Sequence, residues 1–473
     1  MLPLLSETPR RFPVWILLPL VYSVVLLLYT NTTSVVQKWV LATGLLNVWF
    51  AAVALFRDKK PYSINRMFWL FVLVFMGMVP GFQIALRQFP WGNDILPETC
   101  LTANLIVWSG SAVYQLTRYV LAANLDEKPL LFKSRIDDSW LKSWQTVGLT
   151  GFILLALTYF AITGADAILL QKDILLKWRD EVPDAVFLLV EKAIRSPVLY
   201  FGLLSVFLFR LRRISKTTLV LILAIGLLVN FPLALPRTLA ATVGVSLLLS
   251  FGGRYWQRYR QAFTLLILAG LLLAFPLMQL ARRTSDRMAV PQHATELYAF
   301  SFLKGDFDAY SMLCRTVAFT DTNGFRKGRQ LQTALAFAVP RTVWPQKGIG
   351  SGAYVSRASG KTFINVSCPL VAEGFIDFGW LGTWVYCVLF AVLAYRYDRY
   401  YWYWRTHRAS EGDLSFKALF YPAMLVLLFH LLRGDLLSSL AQVTGMYGCA
   451  WGAHQLIWLG AKGVRYRNRV KTS

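Results

Sequence analysis

Cationic side chains are concentrated in the longest hydrophilic part of the chain, residues 282–370, which contains twelve Lys or Arg and five Asp or Glu. This part contains "VPRTVWPQK", in which two prolines flank Arg341 and Lys347 follows. Arginine suits phosphate groups because its rigid planar fork donates two parallel hydrogen bonds. The pattern predicts a site for an anionic ligand. The alternative is a solvated loop whose cations contact anionic lipid headgroups.

Three further positions add arginines to this candidate site. Arg237 follows a proline at the start of an apolar run, where an ion near a membrane is costly unless it is paired. Arg282 and Arg283 end another apolar run, and side chains that reach to the membrane surface would explain them equally well. Arg433 lies in "LFHLLRGDLLSS". We take all four arginines as candidate ligands of the anion.

Groups that could move a proton lie close to these arginines in the sequence. His430 and Arg433 are three residues apart and share one helical face, and Asp435 follows. Glu373 begins a later apolar run and is a candidate general base, as are His430 and Asp435. Structural ion pairs are the alternative: Asp435 could neutralise Arg433, and Glu373 could pair with a nearby arginine.

Metal and cofactor motifs are weak or missing. "GDFDAY" offers one Asp-x-Asp without a third acid, and the five cysteines show no metal-binding spacing. No nucleotide-binding glycine loop is present. We therefore expect neither a metal nor a cofactor. Cys314 and Cys368 share one hydrophilic segment and could pair in an oxidising compartment.

The composition describes the scaffold that must position these groups. Of the 473 residues, 56% are hydrophobic and 16% are charged, whereas a soluble chain carries about 25% charged residues. The formal charge of +24 would suggest nucleic acid in a soluble protein. Here we expect no nucleic acid, because cytoplasmic loops of membrane proteins collect Lys and Arg. The chain is predicted to be an all-α, polytopic membrane protein.

Apolar runs long enough to cross a bilayer predict about twelve spans. The predicted spans cover 12–30, 34–56, 67–87, 101–123, 145–163, 196–210, 217–232, 237–251, 263–281, 376–395, 416–432 and 437–460. Alternate loops are basic, so the positive-inside rule places both termini in the cytoplasm. This divides the chain into nine spans (1–281), a large outer loop (282–375), and three spans with a basic tail (376–473).

Two outer loops are long enough to hold their own structure. Residues 164–195 have an amphipathic pattern and are predicted to lie along the membrane interface. In the larger loop, "ATELYAFSFLKGDFDAYSMLCRTVAF" and "GRQLQTALAFAV" are predicted to be amphipathic helices, with irregular chain between and after them.

The order of these motifs resembles a known family. A many-span protein with one large outer loop that carries "GDFDAY", "VPRTVWPQK" and then "PLVAEGFIDFGWLG" is similar to the Wzy-type O-antigen and exopolysaccharide polymerases of bacteria. The likeness covers roughly residues 230–440, and the N-terminal half is similar only in being hydrophobic. O-antigen ligases are a neighbouring branch to which the chain could belong.

The resemblance implies a GT-C-like helical fold in the bacterial inner membrane and an inverting glycosyl transfer at its periplasmic face. The donor would be a glycan on undecaprenyl pyrophosphate, and the acceptor the next lipid-linked repeat. The cations Arg237, Arg282, Arg283, Arg341, Lys347 and Arg433 would then hold the pyrophosphate. Trp344 and Tyr354 would stack on sugar rings. A chain-length regulator protein is a further partner that the family implies.

Two other functions remain compatible with the sequence. A flippase for lipid-linked oligosaccharides would also bind such a lipid, but many transporters are built from two related halves with broken helices. This chain instead concentrates its irregular polar sequence in one outer loop. A purely structural membrane subunit would not need an outer site rich in arginine.

Overall fold

The computed structural model describes residues 14–30, 34–124, 136–164, 184–232, 235–277, 294–305 and 307–472. Within these ranges every longer regular element is a helix and no strand is present. The helices are α1 (Val14–Leu28), α2 (Val35–Arg57), α3 (Ile64–Leu86), α4 (Pro97–Asn124), α5 (Asp138–Thr163), α6 (Asp184–Arg210), α7 (Lys216–Val229), α8 (Arg237–Arg258), α9 (Arg260–Leu277), α10 (Ala294–Lys304), α11 (Ala309–Asn323), α12 (Arg329–Leu335), α13 (Ser351–Ala358), α14 (Leu370–His407), α15 (Phe416–Leu419), α16 (Tyr421–Arg433) and α17 (Leu436–Thr472).

The prediction of an all-helical fold is confirmed for the described residues, and their apolar helices support a membrane protein. Among these residues, six helices are long and apolar enough to cross a membrane: α2, α3, α5, α9, α14 and the part of α6 from Val186 to Arg210. Large apolar side chains on the outside of the bundle agree with this, since Leu154 and Leu157 of α5 are each 58% exposed. Surfaces of this kind need lipid contact, because water disfavours extended apolar patches.

Each of the twelve predicted spans coincides at least in part with a helix. Beyond the six, the apolar stretches in α1, α7, α8 and α16 are shorter, and α4 and α17 are long but carry more polar residues. The count of twelve spans and the GT-C-like fold therefore stay predictions.

Helix α3 lies at the centre of the bundle and is anchored at its first turn. Every residue from Ile64 to Leu73 is buried. Asp398 of α14 accepts hydrogen bonds from the backbone N–H of Ile64 (2.8 Å) and from the Tyr421 hydroxyl (2.5 Å). A carboxylate at a helix N-terminus satisfies donors that have no partner within the helix. The central helix is thus fixed to α14 and α16, the elements that follow the outer loop.

The sixth span starts earlier than the sequence predicts. We expected the span to begin at Ser196, but this residue lies inside the continuous helix α6, which already includes Asp184. The interfacial helix predicted for 164–195 is therefore wrong for its last twelve residues, while residues 165–183 lie outside the described ranges. Burial of Ile194 and Val198 on either side of the proline stabilises the helix where its hydrogen bonding is interrupted.

The helices predicted in the large loop are present. Helices α10 and α12 fall within the two amphipathic stretches, and α11 begins in the first stretch and ends four residues beyond it. Helix α11 is buried along most of its length. Helix α13 occupies a part that we predicted to be irregular, so that expectation is wrong. Its eight residues, "SGAYVSRA", form a short and only weakly apolar segment, which gives little signal for a prediction from sequence.

Helix α14 is broken near its start. Phe378 and Gly379 have non-helical backbone angles, and Gly379 has a φ of +61°, a conformation that glycine adopts without strain. A Cβ atom on Gly374 would lie 2.5 Å from the carbonyl oxygen of Gly382, so the chain on either side of the break makes close backbone contact. The predicted span at 376–395 therefore contains a sharp turn, and Glu373 belongs to the short segment before it.

Candidate functional site

A cavity of about 470 Å³ lies between α8, α9 and α16, with α3 at its base. Its walls are almost entirely apolar. The residues that line it are Met67, Phe75, Pro232, Arg237, Thr238, Ala240, Ala241, Gly244, Val245, Leu248, Leu266, Ile267, Gly270, Leu271, Ala274, Phe275, Val426, Phe429, His430 and Arg433.

Small residues and an irregular helix leave the room for this cavity. Ala240, Ala241 and Gly244 form one wall, and a Cβ atom added to Gly244 would meet no atom within 4 Å. The facing wall is the π-helical stretch of α9 from Gly270 to Ala274. Such stretches widen a helix by one residue and are frequent at functional sites.

The polar residues of the lining are Arg237, Thr238, His430 and Arg433, which we call the cavity mouth. Arg237 and Thr238 begin α8, and His430 and Arg433 lie in the last turn of α16. The Oγ1 atom of Thr238 lies 3.5 Å from Nδ1 of His430, so the two helix ends meet there. The structure thus brings Arg237 together with His430 and Arg433, which the sequence had already placed on one helical face.

Aromatic rings and one buried acid orient the two arginines. The guanidinium of Arg237 lies over the ring of Phe275, with Cζ 4.8 Å from the ring centre, and that of Arg433 lies 5.6 Å from the centre of Phe75. Nη2 of Arg433 is also 3.3 Å from Oδ1 of Asp308. A guanidinium that lies over an aromatic face still donates hydrogen bonds within its own plane.

Asp308 is a partner of Arg433 that we did not predict from the sequence. Its carboxylate is buried and accepts hydrogen bonds from Trp91 Nε1 (3.0 Å) and from the backbone N–H (3.0 Å) and hydroxyl (2.7 Å) of Ser367. We had considered an ion pair between Asp435 and Arg433, but Arg433 pairs with Asp308 instead. Asp308 therefore holds the end of α16 to the outer loop, and three other donors share its negative charge.

Glu373 and Asp435 form a second cluster with Ser351 and Gly352, which we call the loop junction. Glu373 is buried and accepts hydrogen bonds from the Ser351 hydroxyl (2.5 Å) and from the backbone N–H of Leu436 (2.7 Å). Asp435 accepts hydrogen bonds from the backbone N–H of Gly352 (3.1 Å) and Leu437 (3.0 Å). The junction joins the first turns of α13, α14 and α17.

Burial dominates the electrostatics of the loop junction. It raises the pKa of the Asp435 carboxyl above its ordinary value, although backbone N–H donors, that of Gly352 first, act in the opposite direction. A Cβ atom on Gly350 would clash with the Asp435 carboxylate, so only glycine fits there. Neither Glu373 nor Asp435 lines the cavity. Their oxygens bind the protein's own donors.

Arg341 and Lys347 close a turn of the outer loop on itself. The exposed Arg341 guanidinium donates to the carbonyl oxygens of Lys347 (2.7 Å) and Gly348 (2.9 Å). Nζ of Lys347 donates to those of Phe337 (2.7 Å) and Val339 (3.0 Å). Burial and then the neighbouring Arg341 lower the pKa of Lys347. We call residues 337–348 the loop turn.

The two predicted stacking residues lie elsewhere on the outer loop. Tyr354 of α13 is half-buried, with the Arg326 guanidinium 4.5 Å from its ring centre and the ring of Phe319 at its edge. Trp344 is half-exposed in the loop turn. Neither lines the cavity, and their contact with sugars stays a prediction. Arg282 and Arg283 lie outside the described residues.

No group of three or more His, Cys, Asp or Glu that could hold a metal ion occurs in the part of the chain that the structure describes. In "GDFDAY", Asp308 binds the donors described above and Asp306 lies outside that part.

The sequence also missed Thr238 and the small residues of the cavity wall. Ala240, Ala241 and Gly244 do recur at helical spacing after Arg237, a pattern that indicates an unfilled helix face. That pattern was available in the sequence, whereas the contact between Asp308 and Arg433 depends on tertiary structure alone.

Two guanidinium groups beside an imidazole, at the polar part of an apolar cavity, suit an amphiphile with an anionic head. Arginines can bind a diphosphate through paired hydrogen bonds, and the apolar walls can hold a hydrocarbon chain. A comparison with protein-family models found no match, and comparisons with curated proteins and with solved structures found none either.

Proposed function

We propose that the protein is a glycosyltransferase that polymerises oligosaccharide repeat units carried on undecaprenyl pyrophosphate, at the periplasmic face of the bacterial inner membrane. One observation carries this proposal: Arg237, His430 and Arg433 meet at the polar part of an apolar cavity bounded by membrane helices. An anionic lipid needs both features. A soluble sugar nucleotide would need only the cationic one.

The cavity binds the donor lipid. Its apolar walls hold the part of the isoprenoid chain nearest the head, and Arg237 and Arg433 bind the two phosphates. Negative charge grows on the bridging oxygen as the sugar departs, so these arginines stabilise the transition state more than the ground state. This arrangement needs no metal.

His430 receives the proton in this mechanism. The hydroxyl of the acceptor sugar attacks the anomeric carbon of the donor glycan from the face opposite the pyrophosphate. The new C–O bond forms as the bond to the pyrophosphate breaks, and undecaprenyl pyrophosphate leaves with the electron pair. The hydroxyl proton passes to the neutral imidazole of His430. Of the three predicted bases, His430 is the one that lines the cavity.

Glu373 and Asp435 act as positioning residues in this proposal. Both bind donors of the outer loop and of α17, so they hold the loop over the bundle. The proposed topology has twelve spans with both termini in the cytoplasm, which places the cavity mouth at the periplasmic side. A chain-length regulator protein is a further proposed partner.

Incubation of the purified protein with a lipid-linked repeat unit, with and without EDTA, tests the proposal. We expect a ladder of polymers on undecaprenyl pyrophosphate that persists in EDTA and disappears when Arg237 and Arg433 are both replaced by Ala. Transfer of the glycan only to a lipid A core acceptor would identify a ligase instead. Movement of intact substrate across vesicles without product would identify a flippase. Either result would refute the proposal.

A further inference from the structure

Two cysteines from distant parts of the chain are in contact beneath the outer loop. Cys100 lies in the first turn of α4 and Cys314 in α11. Their Sγ atoms are 3.9 Å apart, and the two side chains are 3% and 0% exposed. The sequence suggested that Cys314 could pair with Cys368, whereas in the structure Cys314 contacts Cys100.

Neighbouring contacts fix the two helices at this spacing. The Tyr310 hydroxyl, one helical turn before Cys314, lies 3.0 Å from the carbonyl oxygen of Cys100 and 2.9 Å from Oδ1 of Asn104. A disulfide bond needs sulfur atoms about 2.05 Å apart, on Cα atoms roughly 4.4–6.8 Å apart. The two sulfurs, 3.9 Å apart, are already in van der Waals contact, so a bond requires them to approach by about 1.9 Å.

The other cysteines have different surroundings. Cys368 lies beside Thr316 and Glu373, Cys387 faces Gly110 of α4, and Cys449 lies in α17. All five cysteines fall within the described ranges, and the contact between Cys100 and Cys314 is the one between two thiols there.

We propose that Cys100 and Cys314 form a disulfide bond in the mature protein, as a covalent link between the outer loop and the membrane bundle. A dithiol–disulfide oxidoreductase of the outer compartment is the oxidant. Its disulfide exchanges with the two thiols, so that one S–S bond forms as another breaks. The two protons and two electrons of the cysteines pass to the oxidant, which becomes a dithiol.

The bond would secure the helix that positions the cavity mouth. Helix α11 follows directly on Asp308, the acid that contacts Arg433, and Cys314 lies less than two helical turns further on. A link from Cys314 to α4 therefore limits the movement of Asp308 relative to the bundle. The link depends on the outer loop facing an oxidising compartment, but not on the reaction proposed above.

Burial determines when this oxidation occurs. The packing around Cys314 raises the pKa of its thiol, so the reactive thiolate is scarce in the folded protein. The exchange therefore takes place before α11 closes onto α4. Once formed, the bond is reduced slowly by dithiothreitol until the protein is denatured.

Counting thiols in the native protein tests the proposal without any variant. Cells are quenched in trichloroacetic acid, and the protein is labelled in SDS with a maleimide-bearing polyethylene glycol. We expect three labelled thiols of the five, and all five after reduction. Mass spectrometry of the unreduced digest should yield the peptide that joins Cys100 to Cys314.

Three substitutions sharpen this count. Cys100→Ser should free Cys314, so that all four remaining thiols react, whereas Cys387→Ser and Cys368→Ser should each still leave two thiols protected. Five labelled thiols in the unreduced wild-type protein would overturn the proposal. So would a linked peptide that contains Cys368.

Discussion

The cavity mouth and the loop junction meet within a few residues of each other, since Arg433 belongs to one and Asp435 to the other. They use charged side chains in opposite ways. At the mouth, two arginines lie over aromatic rings beside a cavity. At the junction, two buried carboxylates bind backbone N–H groups and a hydroxyl of their own chain. Proximity in sequence therefore does not distinguish a group that binds a ligand from one that holds a loop.

The two clusters differ in the partners of their hydrogen-bonding groups. A buried carboxylate must be satisfied by internal donors, because desolvation otherwise makes it costly. Asp435 and Glu373 meet that requirement with donors from the outer loop and α17. At the mouth, the rings of Phe75 and Phe275 accept the arginine faces and leave the in-plane N–H groups directed at other partners. This contrast leads to predictions of graded size.

The largest effect is expected from Arg433. Arg433→Ala should lower the initial rate of polymer formation by about 100-fold or more, the range seen when one preorganised donor to a developing charge is removed. The acceptor groups of Asp308 retain Trp91 and Ser367, so the protein should still fold. The rate is measured from the product ladder at saturating donor. A rate within threefold of wild type would place the mouth outside the reaction.

Filling the cavity should give an effect of intermediate size. Gly244→Leu places a side chain into the open space beside Gly244. We expect the KM for the lipid-linked donor to rise by about 10-fold, because the new side chain takes the place of part of the lipid's hydrocarbon chain. Gly452→Leu is the matched control, because a Cβ there also meets no atom within 4 Å and Gly452 does not line the cavity. Equal KM values in the two variants would contradict the assignment of the lipid to this cavity.

The loop junction should tolerate loss of charge. Glu373→Gln keeps an oxygen for the backbone N–H of Leu436, and its amide N–H can donate to the Ser351 hydroxyl. Asp435→Asn keeps an oxygen for Leu437 and loses the acceptor for Gly352. Since neither residue lines the cavity, we expect rates within about threefold of wild type. The pH–rate profile should also keep its shape. If Asp435 were the base, its raised pKa would set the acid limb of that profile, and Asp435→Asn would remove this limb together with nearly all activity.

The smallest effect is expected at the loop turn. Arg341→Ala removes two hydrogen bonds to exposed carbonyl oxygens of the same turn, which water can replace. We expect a polymerisation rate within about twofold of wild type and faster limited proteolysis near residue 341. A loss of activity as large as that of Arg433→Ala would restore the first interpretation, in which Arg341 binds the pyrophosphate.

Sequence patterns were sufficient for the helices and for part of the site. Apolar runs located the helices, because length and hydropathy are local properties. His430 and Arg433 share a helical face, and that relation is also local. Their meeting with Arg237 is not, since it depends on how α8 packs against α16. The break at Gly379 could not be predicted either, because "DFGW" allows both a turn and a continuous helix.

Local patterns were insufficient where tertiary contacts decided the outcome. The span predicted from residue 196 begins earlier, because tertiary burial keeps α6 continuous through Pro197. The guanidinium of Arg341 binds carbonyl oxygens of the loop turn, and its contact with a pyrophosphate stays a prediction. In both cases the contacts come from residues that show no pattern in the sequence.

Binding of undecaprenyl pyrophosphate tests the central claim most directly, because it needs neither an acceptor nor turnover. Native mass spectrometry of the purified protein should detect one bound lipid per chain in the wild type and in Arg341→Ala. In Arg237→Ala and Arg433→Ala, the bound fraction should fall steeply at the same lipid concentration. Equal occupancy in all four proteins would contradict the account.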